Sequence, residues 1–575
     1  MTRVVVPPSL STVTVANFYG TASDRSGVKL DKREFTLLQN IVNKNLKTLA
    51  VRPGGIKSFS QTHTTGTDVR ALHTFVDDAG TELYVKMSGG KVYKSSGSTW
   101  SEITASAPGG GFTEADTWMV TLNTKDTGSS NSTSGTTTSA EATSIEDDGI
   151  GWTPGAYTKQ VLTINSEIKN IGGNDADIIY LNEAFDTLPT ADAFTVNPRA
   201  QEFFIATGTE FYKCDGTTFT QLDTSNFAKA FDGIEVHHNR IFAWKGTSLF
   251  YSDNGVGEHF SRNAVYDFAT PIQRVYSFGS VLVIFERRRV TVMFGDNPDR
   301  HQFVEVLNEV GTTAPKSVTS YGDYIFFVSE EYGFCVLSLA ALANRGKVNE
   351  PLSISEDFIN DNILAQSSAN LRTTCAGTHK GEVHWCCDND WYRLNVKASL
   401  DTPRDPFGNV RWIWSLDDRP DAMDALVLGH YGTKFVAGAQ DSGQVYEIEE
   451  SSTYDDDGTA ISYVIEKQNW QKGEYGKRPN HYHSLHIRQE NNAASSLVQS
   501  YFFAPGGNSY GTAVETVDLN SALSADHEIQ VTGNPSDDPP KNSGEFLSYK
   551  ITGSSSIAVP EFELINLGYF GGIVK

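Results

Sequence analysis

Residues 83–103, LYVKMSGGKVYKSSGSTWSEI, and residues 203–222, FFIATGTEFYKCDGTTFTQL, share one skeleton. A shift of 119 residues aligns eight positions of similar type, among them Tyr93 with Tyr212 and Gly97 with Gly216. Each copy places apolar residues at near-alternate positions and breaks them with a glycine, which is typical of strands joined by tight turns. The two stretches therefore predict a repeated β-hairpin.

Looser copies of the hairpin follow, and the aromatic residue of the second strand of each copy marks their spacing. These residues advance in steps of 39, 43, 40, 58 and 54 through Tyr212, Tyr251, Phe294, Phe334, Tyr392 and Tyr446. Blades of four-stranded propellers repeat at about 40–50 residues, whereas an immunoglobulin-like array needs roughly 100. The spacing predicts an all-β chain built on a β-propeller of six to eight blades. Seven is favoured, and a closing blade can borrow a strand from elsewhere.

Changes in composition divide the chain. Residues 1–60 are predicted to be an extended attachment segment, and residues 61–104 and 199–450 the propeller. Residues 105–198 are predicted to be an inserted small β-rich subdomain, in which the polar tract Thr127 to Ala142 buries no core. The alternating strands of residues 451–575 predict a carboxy-terminal domain resembling a β-sandwich.

The net charge of −24 argues against a protein that wraps nucleic acid by neutralising phosphates. No apolar run approaches 18 residues, so no membrane span is expected, and the first residues do not predict a signal peptide. The odd number of cysteines, two of them adjacent, argues against a disulfide framework and favours packing roles for Cys214, Cys335, Cys375, Cys386 and Cys387.

Residues that could carry chemistry are few. Asp455-Asp456-Asp457-Gly458 lacks the full spacing of a calcium loop. His237-His238 and His481-Tyr482-His483 occur in predicted strands, where adjacent side chains face opposite sides, so they do not predict a zinc site. The sequence therefore predicts no catalytic residue, no metal and no cofactor, and a protein that is not an enzyme.

Arg287, Arg288 and Arg289 form the one compact basic run in the sequence. The run is predicted at a hairpin tip, where water solvates it at little cost. The alternative is a contact with an acidic neighbouring subunit or with DNA phosphates.

Two further stretches carry a family resemblance. Asn40 is followed a dozen residues later by Leu49-Ala50-Val51-Arg52-Pro53-Gly54-Gly55, and His238-Asn239-Arg240-Ile241-Phe242 is followed by Leu249-Phe250-Tyr251-Ser252-Asp253. Together with the repeats, these motifs resemble bacteriophage tail nozzle proteins of the podovirus type, also called tail hub or packaged-DNA stabilisation proteins. The Thr/Ser-rich insertion departs from that pattern.

The resemblance implies a structural virion protein, located in the phage tail and assembled in the host cytoplasm. It implies a homohexameric ring that attaches to an adaptor, the head-to-tail connector, and carries a tail needle or fibres. The ring would close the DNA channel and conduct genomic DNA through its lumen during ejection, without sequence-specific binding. It implies no catalytic residues.

Two other functions stay open. A glycan-binding or glycan-degrading propeller of the sialidase type would carry Ser-x-Asp-x-Gly-x-x-Trp turns. Residues 95–100 lack the aspartate of that turn, and residues 214–219 lack its serine. A cellular propeller scaffold is disfavoured because the Trp-Asp and kelch signatures are missing.

Overall fold

The computed structural model covers most of the chain. It describes residues 10–15, 18–22, 34–44, 46, 48–59, 67–77, 79–96, 98–103, 117–122, 132–148, 151–157, 160–165, 167–197, 201–222, 230–261, 263–343, 352–356, 359–404, 410–450, 455–470, 480–491, 498–505, 515–518, 524–530, 543–544, 547–555 and 560–570. The described part is nearly all β, as predicted, with propeller-like sheets at its centre.

Seven four-stranded antiparallel units, called sheets 1 to 7, follow one another within the described residues. Their strands, innermost first, are Val69–Val76, Glu82–Ser88, Lys91–Ser96 and Thr99–Glu102 in sheet 1; Trp118–Leu122, Glu202–Ala206, Phe211–Cys214 and Phe219–Gln221 in sheet 2; Gly233–His237, Arg240–Lys245, Ser248–Tyr251 and Val265–Asp267 in sheet 3; Ile272–Phe278, Val281–Glu286, Arg289–Phe294 and Gln302–Asn308 in sheet 4; Thr319–Tyr321, Tyr324–Ser329, Gly333–Ser338 and Leu352–Ser353 in sheet 5; Cys375–His379, Glu382–Cys387, Asp390–Asn395 and Trp414–Asp417 in sheet 6; and Ala425–Tyr431, Lys434–Ala439, Val445–Glu450 and Gly54–Lys57 in sheet 7.

The repeated aromatic residues occupy equivalent places in these sheets, which confirms the predicted repeat. Each lies on the third strand of its sheet, from Tyr93 in sheet 1 to Tyr446 in sheet 7. In sheet 5, Phe334 is fully buried, and its ring centroid lies 4.4 Å from that of Trp385 and 5.1 Å from that of Trp414 in sheet 6. The repeated aromatic side chains therefore lie where the cores of neighbouring sheets meet.

The outermost strand of sheet 7, Gly54–Lys57, comes from the beginning of the chain. It pairs antiparallel with Val445–Glu450. The predicted boundary at residue 60 therefore differs from the structure, because this strand belongs to the propeller and not to an extended attachment segment. Pairing between strands almost 400 residues apart leaves no local signal in the sequence.

The inserted subdomain is a seven-stranded sheet between the first two strands of sheet 2. Its strands are Thr133–Thr136, Ser139–Glu141, Ser144–Glu146, Val161–Ile164, Glu167–Asn174, Ile178–Leu181 and Ala193–Asn197. It surrounds a small core of its own that includes Ile145, Trp152, Leu162 and Phe194. Trp118–Leu122, which the predicted insertion of residues 105–198 includes, pairs instead with Glu202–Ala206 of the propeller.

The polar tract Thr127 to Ala142 is a correction to the sequence analysis. Its described part contains the strands Thr133–Thr136 and Ser139–Glu141, and Thr137 is 2% exposed. The Thr137 hydroxyl accepts a hydrogen bond from the backbone N–H of Asp192 at 2.9 Å. Threonine has a high β-propensity, so a tract whose only apolar residues are alanines still supplies strands when a sheet is there to receive them.

The carboxy-terminal strands form two sheets, each of which incorporates strands from the beginning of the chain. In one sheet Pro560–Phe570 pairs with Leu10–Val15, Leu49–Val51 and Asn480–Asn491. In the other, Thr459–Trp470 pairs with Leu37–Gln39 and Leu547–Ser555. The remaining strands of the two termini are Gly20–Thr21, Glu34–Phe35, Ile41–Asn43, Asp455–Asp456, Val498–Pro505, Glu515–Asp518, Ser524–Gln530 and Ser543–Gly544. The predicted domain of residues 451–575 is therefore built from both ends of the chain.

Helices are short and lie in connections between strands. They are the α-helices Leu339–Ala343, Asn360–Leu364, Ser368–Thr373 and Val396–Asp401 and the 3-10 turns Pro298–Arg300, Pro315–Ser317 and Asp421–Met423. None of the helices in the described part of the chain has the length and apolar character needed to cross a membrane.

Gly54 tests the place of the amino-terminal strand in sheet 7. A Cβ atom there would overlap the backbone carbonyl of Asp455, and that backbone cannot move aside cheaply. We expect Gly54→Ala to lower the free energy of unfolding by about 2–4 kcal/mol, since overpacking against backbone is not relieved by a rotamer change. Urea unfolding monitored by tryptophan fluorescence measures this.

Gly173→Ala is the matched control, because a Cβ at Gly173 has no neighbour within 4 Å. Equal stability of the two variants would show that Gly54 does not approach the Asp455 backbone in solution.

Candidate functional site

The predicted basic run lies at the tip of the second hairpin of sheet 4. Arg287 donates to Glu330 at 2.8 Å, and Arg288 pairs with Glu331. Glu330 and Glu331 occupy the equivalent hairpin tip of sheet 5, so the run is paired within its own chain. The side chains of Arg287 and Arg288 are 58% and 68% exposed, and solvent screens such pairs to about 0–1 kcal/mol each. Contact of this run with another subunit or with DNA stays a prediction.

A second charged group, called the arginine cluster, is buried where sheets 6 and 7 meet the terminal sheets. It consists of three arginines and four carboxylates: Arg52, Arg393, Arg419, Glu382, Asp417, Glu449 and Asp456. The three arginines are at most 3% exposed. Full burial of guanidinium groups is unusual and requires that each be paired.

Arg393 is the centre of the cluster. Its guanidinium donates to Asp417 at 2.6 Å and to Glu449 at 2.5 Å through the same nitrogen, Nη2. The other terminal nitrogen donates to Glu382 at 3.1 Å. Arg419 contacts the same acids and donates to Asp417 at 3.2 Å and to Glu449 at 2.7 Å.

Arg52 ties the amino-terminal segment to this cluster. It donates to both carboxylate oxygens of Asp456, and its Nε donates to the side-chain oxygen of Asn40 at 2.8 Å. That same oxygen accepts the backbone N–H of Asp418 at 2.7 Å, and the Asn40 amide donates to the Ser462 carbonyl at 2.5 Å. The spacing of Asn40 and Arg52, noted in the sequence as part of a family resemblance, thus corresponds to a hydrogen bond between two strand ends.

The backbone conformation at Glu449 brings its carboxylate to the arginine cluster. Glu449 has φ 63°, in the left-handed region, and lies at a β-bulge opposite the Gly54–Lys57 strand. A non-glycine residue persists there only where its surroundings hold it, and here the two guanidiniums of Arg393 and Arg419 hold its carboxylate. The bulge is what allows Glu449 to reach these arginines.

The pKa values of the acids follow from this geometry. Burial would raise the pKa of Glu449, but Arg393 and Arg419 outweigh it and hold the pKa at about 2. The same balance keeps the pKa of Asp417 below its ordinary value. For Glu382, burial prevails over the attraction of Arg393 and raises the pKa to about 7. With Glu382 protonated, three carboxylates face three guanidiniums and the cluster is neutral.

His384 lies beside the cluster and brings a possible metal set close together. One nitrogen or oxygen atom from each of His384, Asp417 and Glu449 lies within 4.8 Å of the others. Both carboxylates are already neutralised by guanidiniums, so a cation here would add unpaired positive charge. Burial and the nearby Arg393 lower the pKa of His384 to about 3, which leaves the imidazole neutral. The arrangement does not suit a metal.

A cavity of about 330 Å³ opens next to the cluster between the first hairpins of sheets 6 and 7. Glu449 forms part of its wall, together with His379, Lys380, Lys434 and Glu447. Both carboxylates of the wall are held by cations, Glu447 by Lys434 at 2.5 Å and Glu449 by Arg393 and Arg419.

A second buried polar contact fixes the inserted subdomain to sheet 3. Lys169 of the insertion donates to Asp253 at 2.8 Å, and Asn170 donates to the Asn254 carbonyl. Arg240 donates to the Ser252 carbonyl at 2.8 Å and pairs with Glu183 of the insertion. The turn Asp253-Asn254-Gly255 therefore docks the inserted subdomain on sheet 3.

The remaining candidates have structural surroundings. All five cysteines are free and buried, and burial raises the pKa of the Cys335 and Cys387 thiols, as packing roles require. His237 is buried, and desolvation lowers its pKa to about 3. Asp456 belongs to the arginine cluster, and Asp457 pairs with Lys57 at 2.7 Å, so the Asp455–Asp457 turn is not free to bind calcium. The side chains of His481 and His483 lie outside the described residues.

Sequence reasoning did not identify Arg393, Asp417, Arg419 or Glu449. One signal was present, since Arg393 interrupts the apolar run Trp391-Tyr392-Arg393-Leu394 of a predicted strand. A charge at such a position indicates a buried partner but does not name it, because the partners come from other sheets.

Comparison with known proteins assigns neither a family nor a function. No protein-family model matches the sequence, and no curated protein matches it. Among solved structures, Sqt1 of Saccharomyces cerevisiae is 9% identical, covers 68% of this chain and 99% of its own, and has a TM-score of 0.33. The WD40 β-propeller domain of Doa1 is 10% identical over 69% of this chain and 98% of its own, with a TM-score of 0.31.

An exo-β-1,3-galactanase of Phanerochaete chrysosporium is also similar. It is 13% identical, covers 58% of this chain and 95% of its own, and has a TM-score of 0.22. At these identities and scores the similar structures, which include propeller domains, carry no argument about this chain.

Arg52 tests the arginine cluster. Arg52→Met removes the charge that pairs with buried Asp456, and we expect a loss of about 3–5 kcal/mol of stability, since the carboxylate is left unpaired. Guanidinium chloride unfolding measures the loss. Arg288→Ala, which breaks an exposed pair, serves as the control and should cost less than about 1 kcal/mol. A small effect of Arg52→Met would mean that Asp456 is solvated.

A variant at Glu382 tests whether burial raises the pKa of this carboxylate. Its raised pKa means that the folded chain holds a proton more tightly than the unfolded chain between about pH 4.5 and 7. Its contribution to stability is therefore full below pH 4.5 and lost as the pH rises towards 7. Buried histidines such as His237 and His384, whose pKa is lowered, change stability with pH in the opposite direction. We therefore expect the unfolding free energy of Glu382→Gln, relative to that of the unchanged chain, to rise between pH 5 and pH 8. Asp424, whose pKa burial also raises to about 7, contributes equally to both chains. An unchanged slope in the variant would contradict the assignment.

Proposed function

We propose that this chain is a structural subunit of a bacteriophage tail nozzle, a ring that closes the DNA channel and conducts the genome during ejection. The proposal rests on the structural role of the two motifs that resemble the family. Asn40 and Arg52 fix the terminal sheets to sheets 6 and 7, and Arg240 with Asp253 fixes the insertion to sheet 3. Both motifs thus hold non-propeller parts rigidly on the propeller.

We further propose that the seven sheets close into one seven-bladed ring. In support, Val69 and Trp100 of sheet 1 share a buried cluster with Tyr431, Val436 and Val445 of sheet 7. The Gly54–Lys57 strand would close this ring by pairing the start of the propeller region with its last sheet. A closed ring leaves few open strand edges and suits a load-bearing part.

Contacts between the first strands of different sheets favour a DNA channel that lies between subunits over one that runs through the propeller. Lys316, just before sheet 5, donates to the Arg70 carbonyl of sheet 1 at 2.9 Å. The guanidinium of Arg274 in sheet 4 lies 4.1 Å from the ring of Trp118 in sheet 2. These pairs join sheets that are not neighbours in sequence, so in the proposed ring these side chains would occupy the propeller axis.

The proposed assembly is a homohexamer with an acidic lumen. The net charge of −24 per chain would keep duplex DNA from adhering to the walls, since like charges repel at short range. The proposed partners are an adaptor above the ring, a needle or fibres, and the passing genome. Arg287, Arg288 and Arg289 are proposed to relieve repulsion between subunits.

Two measurements test this function, namely the mass of the assembled particle and the affinity of the chain for duplex DNA. We expect mass photometry and negative-stain images to show a ring of six times the 62.9 kDa chain mass. We expect duplex DNA to bind more weakly than about 10 µM at physiological salt. Replacing Arg287, Arg288 and Arg289 by alanine should lower the hexamer fraction, whereas Lys91→Ala, which breaks another exposed ion pair, should not.

Two results would overturn the proposal. One is a chain that stays monomeric at every concentration, alone and on isolated connectors. The other is sub-micromolar DNA binding with steep salt dependence, which would indicate a DNA clamp. Hydrolysis of glycans by the pure chain would favour the glycan-degrading alternative.

A further inference from the structure

A histidine and two carboxylates meet where the inserted subdomain contacts sheet 3. Glu167 and Asp186 come from the insertion, and His259 comes from the loop between the third and fourth strands of sheet 3. One potential ligand atom from each lies within 4.8 Å of the other two. Glu167 and His259 are at most 9% exposed, while Asp186 is open to solvent. The group therefore has two buried members and one accessible side.

The orientation of His259 is fixed by a buried carboxylate. Nδ1 of its ring lies 2.8 Å from Asp253, which is itself buried. A proton on Nδ1 donated to that carboxylate leaves the lone pair of Nε2 facing the insertion. Nε2 lies 3.8 Å from the Asp186 carboxylate, which is beyond hydrogen-bond distance. A carboxylate that holds one ring nitrogen while the other faces open ligand atoms is the usual outer shell of a metal-binding histidine.

Glu167 is equally well held. Its two carboxylate oxygens accept the backbone N–H groups of Asp186 at 3.0 Å and Thr187 at 2.9 Å. Each oxygen keeps a second lone pair for another partner. The turn that carries Asp186 is therefore built on Glu167, and the two acids are placed relative to each other before any ligand arrives.

The charge balance at this contact is negative. Glu167, Glu183, Asp186 and Asp253 face the two cations Lys169 and Arg240. Lys169 is shared between Asp253 at 2.8 Å and Glu167 at 3.7 Å, and Arg240 is engaged by Glu183. These four negative and two positive charges leave an excess of two negative charges, which is the charge that one divalent cation neutralises.

We propose that Glu167, Asp186 and His259 form a binding site for a divalent transition-metal ion that pins the inserted subdomain to sheet 3. One imidazole nitrogen and two carboxylate oxygens are ligands that suit zinc, with a position left for water. Ligands to zinc lie about 2.0–2.2 Å from the ion, so atoms within 4.8 Å of one another need only a small rearrangement of Asp186. The inference does not depend on the proposed virion function.

Titration of the full-length, chelator-treated chain with Zn²⁺ tests the site. We expect one ion per chain by calorimetry, a rise in the melting temperature with Zn²⁺, and visible absorption bands when Co²⁺ replaces it. His259→Gln should abolish the bands, and Asp186→Asn, at an exposed position, should weaken binding at least tenfold. Asp148→Asn removes an exposed carboxylate of the same subdomain and should leave the affinity unchanged.

In the competing arrangement, His259 joins the insertion to sheet 3 through its contacts with Asp253 and Asp186 alone, without an ion. It predicts no specific Zn²⁺ binding and no rise in the melting temperature with Zn²⁺. That result would overturn the proposal, as would Zn²⁺ binding of equal affinity in the chain, His259→Gln and Asp186→Asn. Circular dichroism of both variants establishes that they are folded.

Discussion

The burial of Arg52 beside Asp456 is the constraint on which the arrangement of the chain ends depends. The strand Gly54–Lys57 must enter sheet 7 from the terminal sheets, and Pro53-Gly54 leaves space for only the bare backbone beside Asp455. The residue before this turn is therefore in the interior. A guanidinium there is tolerated only because Asp456, Asn40 and the Asp418 carbonyl together satisfy it.

The free-energy cost of burying charges limits how much the arginine cluster can add to stability. Moving several ions out of water costs nearly as much free energy as their mutual attraction provides. The arginine cluster therefore adds little net stability compared with an apolar core. Its value is in excluding alternatives, because any other register of the terminal strands leaves Arg52 or Asp456 buried without a partner. The hairpin pairs Arg287–Glu330 and Arg288–Glu331 are different, since their exposed groups lose little when they separate.

Local features of the fold could be predicted from the sequence, and long-range features could not. Alternating residues and glycine turns located the hairpins, and the third-strand aromatics fell at equivalent positions because each must fill the same gap between sheets. The Gly54–Lys57 strand was missed because its partner is distant in sequence, and the Thr133–Thr136 strand because its polar composition resembles a loop. Arg393, Glu449 and His259 were missed for a related reason, as their partners lie on other sheets or in the insertion.

Antiparallel connectivity also fixes where the added parts lie. The insertion leaves sheet 2 after its first strand, and the terminal sheets follow the third strand of sheet 7. In an antiparallel sheet the first and third strands end on the same side, so both parts are on one end of the propeller. The hairpins of Arg287 and Glu330 join second to third strands and lie on the opposite end. The molecule thus has one end occupied by its own modules, held through buried charges, and another end that includes the exposed charged hairpins of sheets 4 and 5. Charges at the first end are desolvated and specify how the modules join, whereas those of the two hairpins are screened by water.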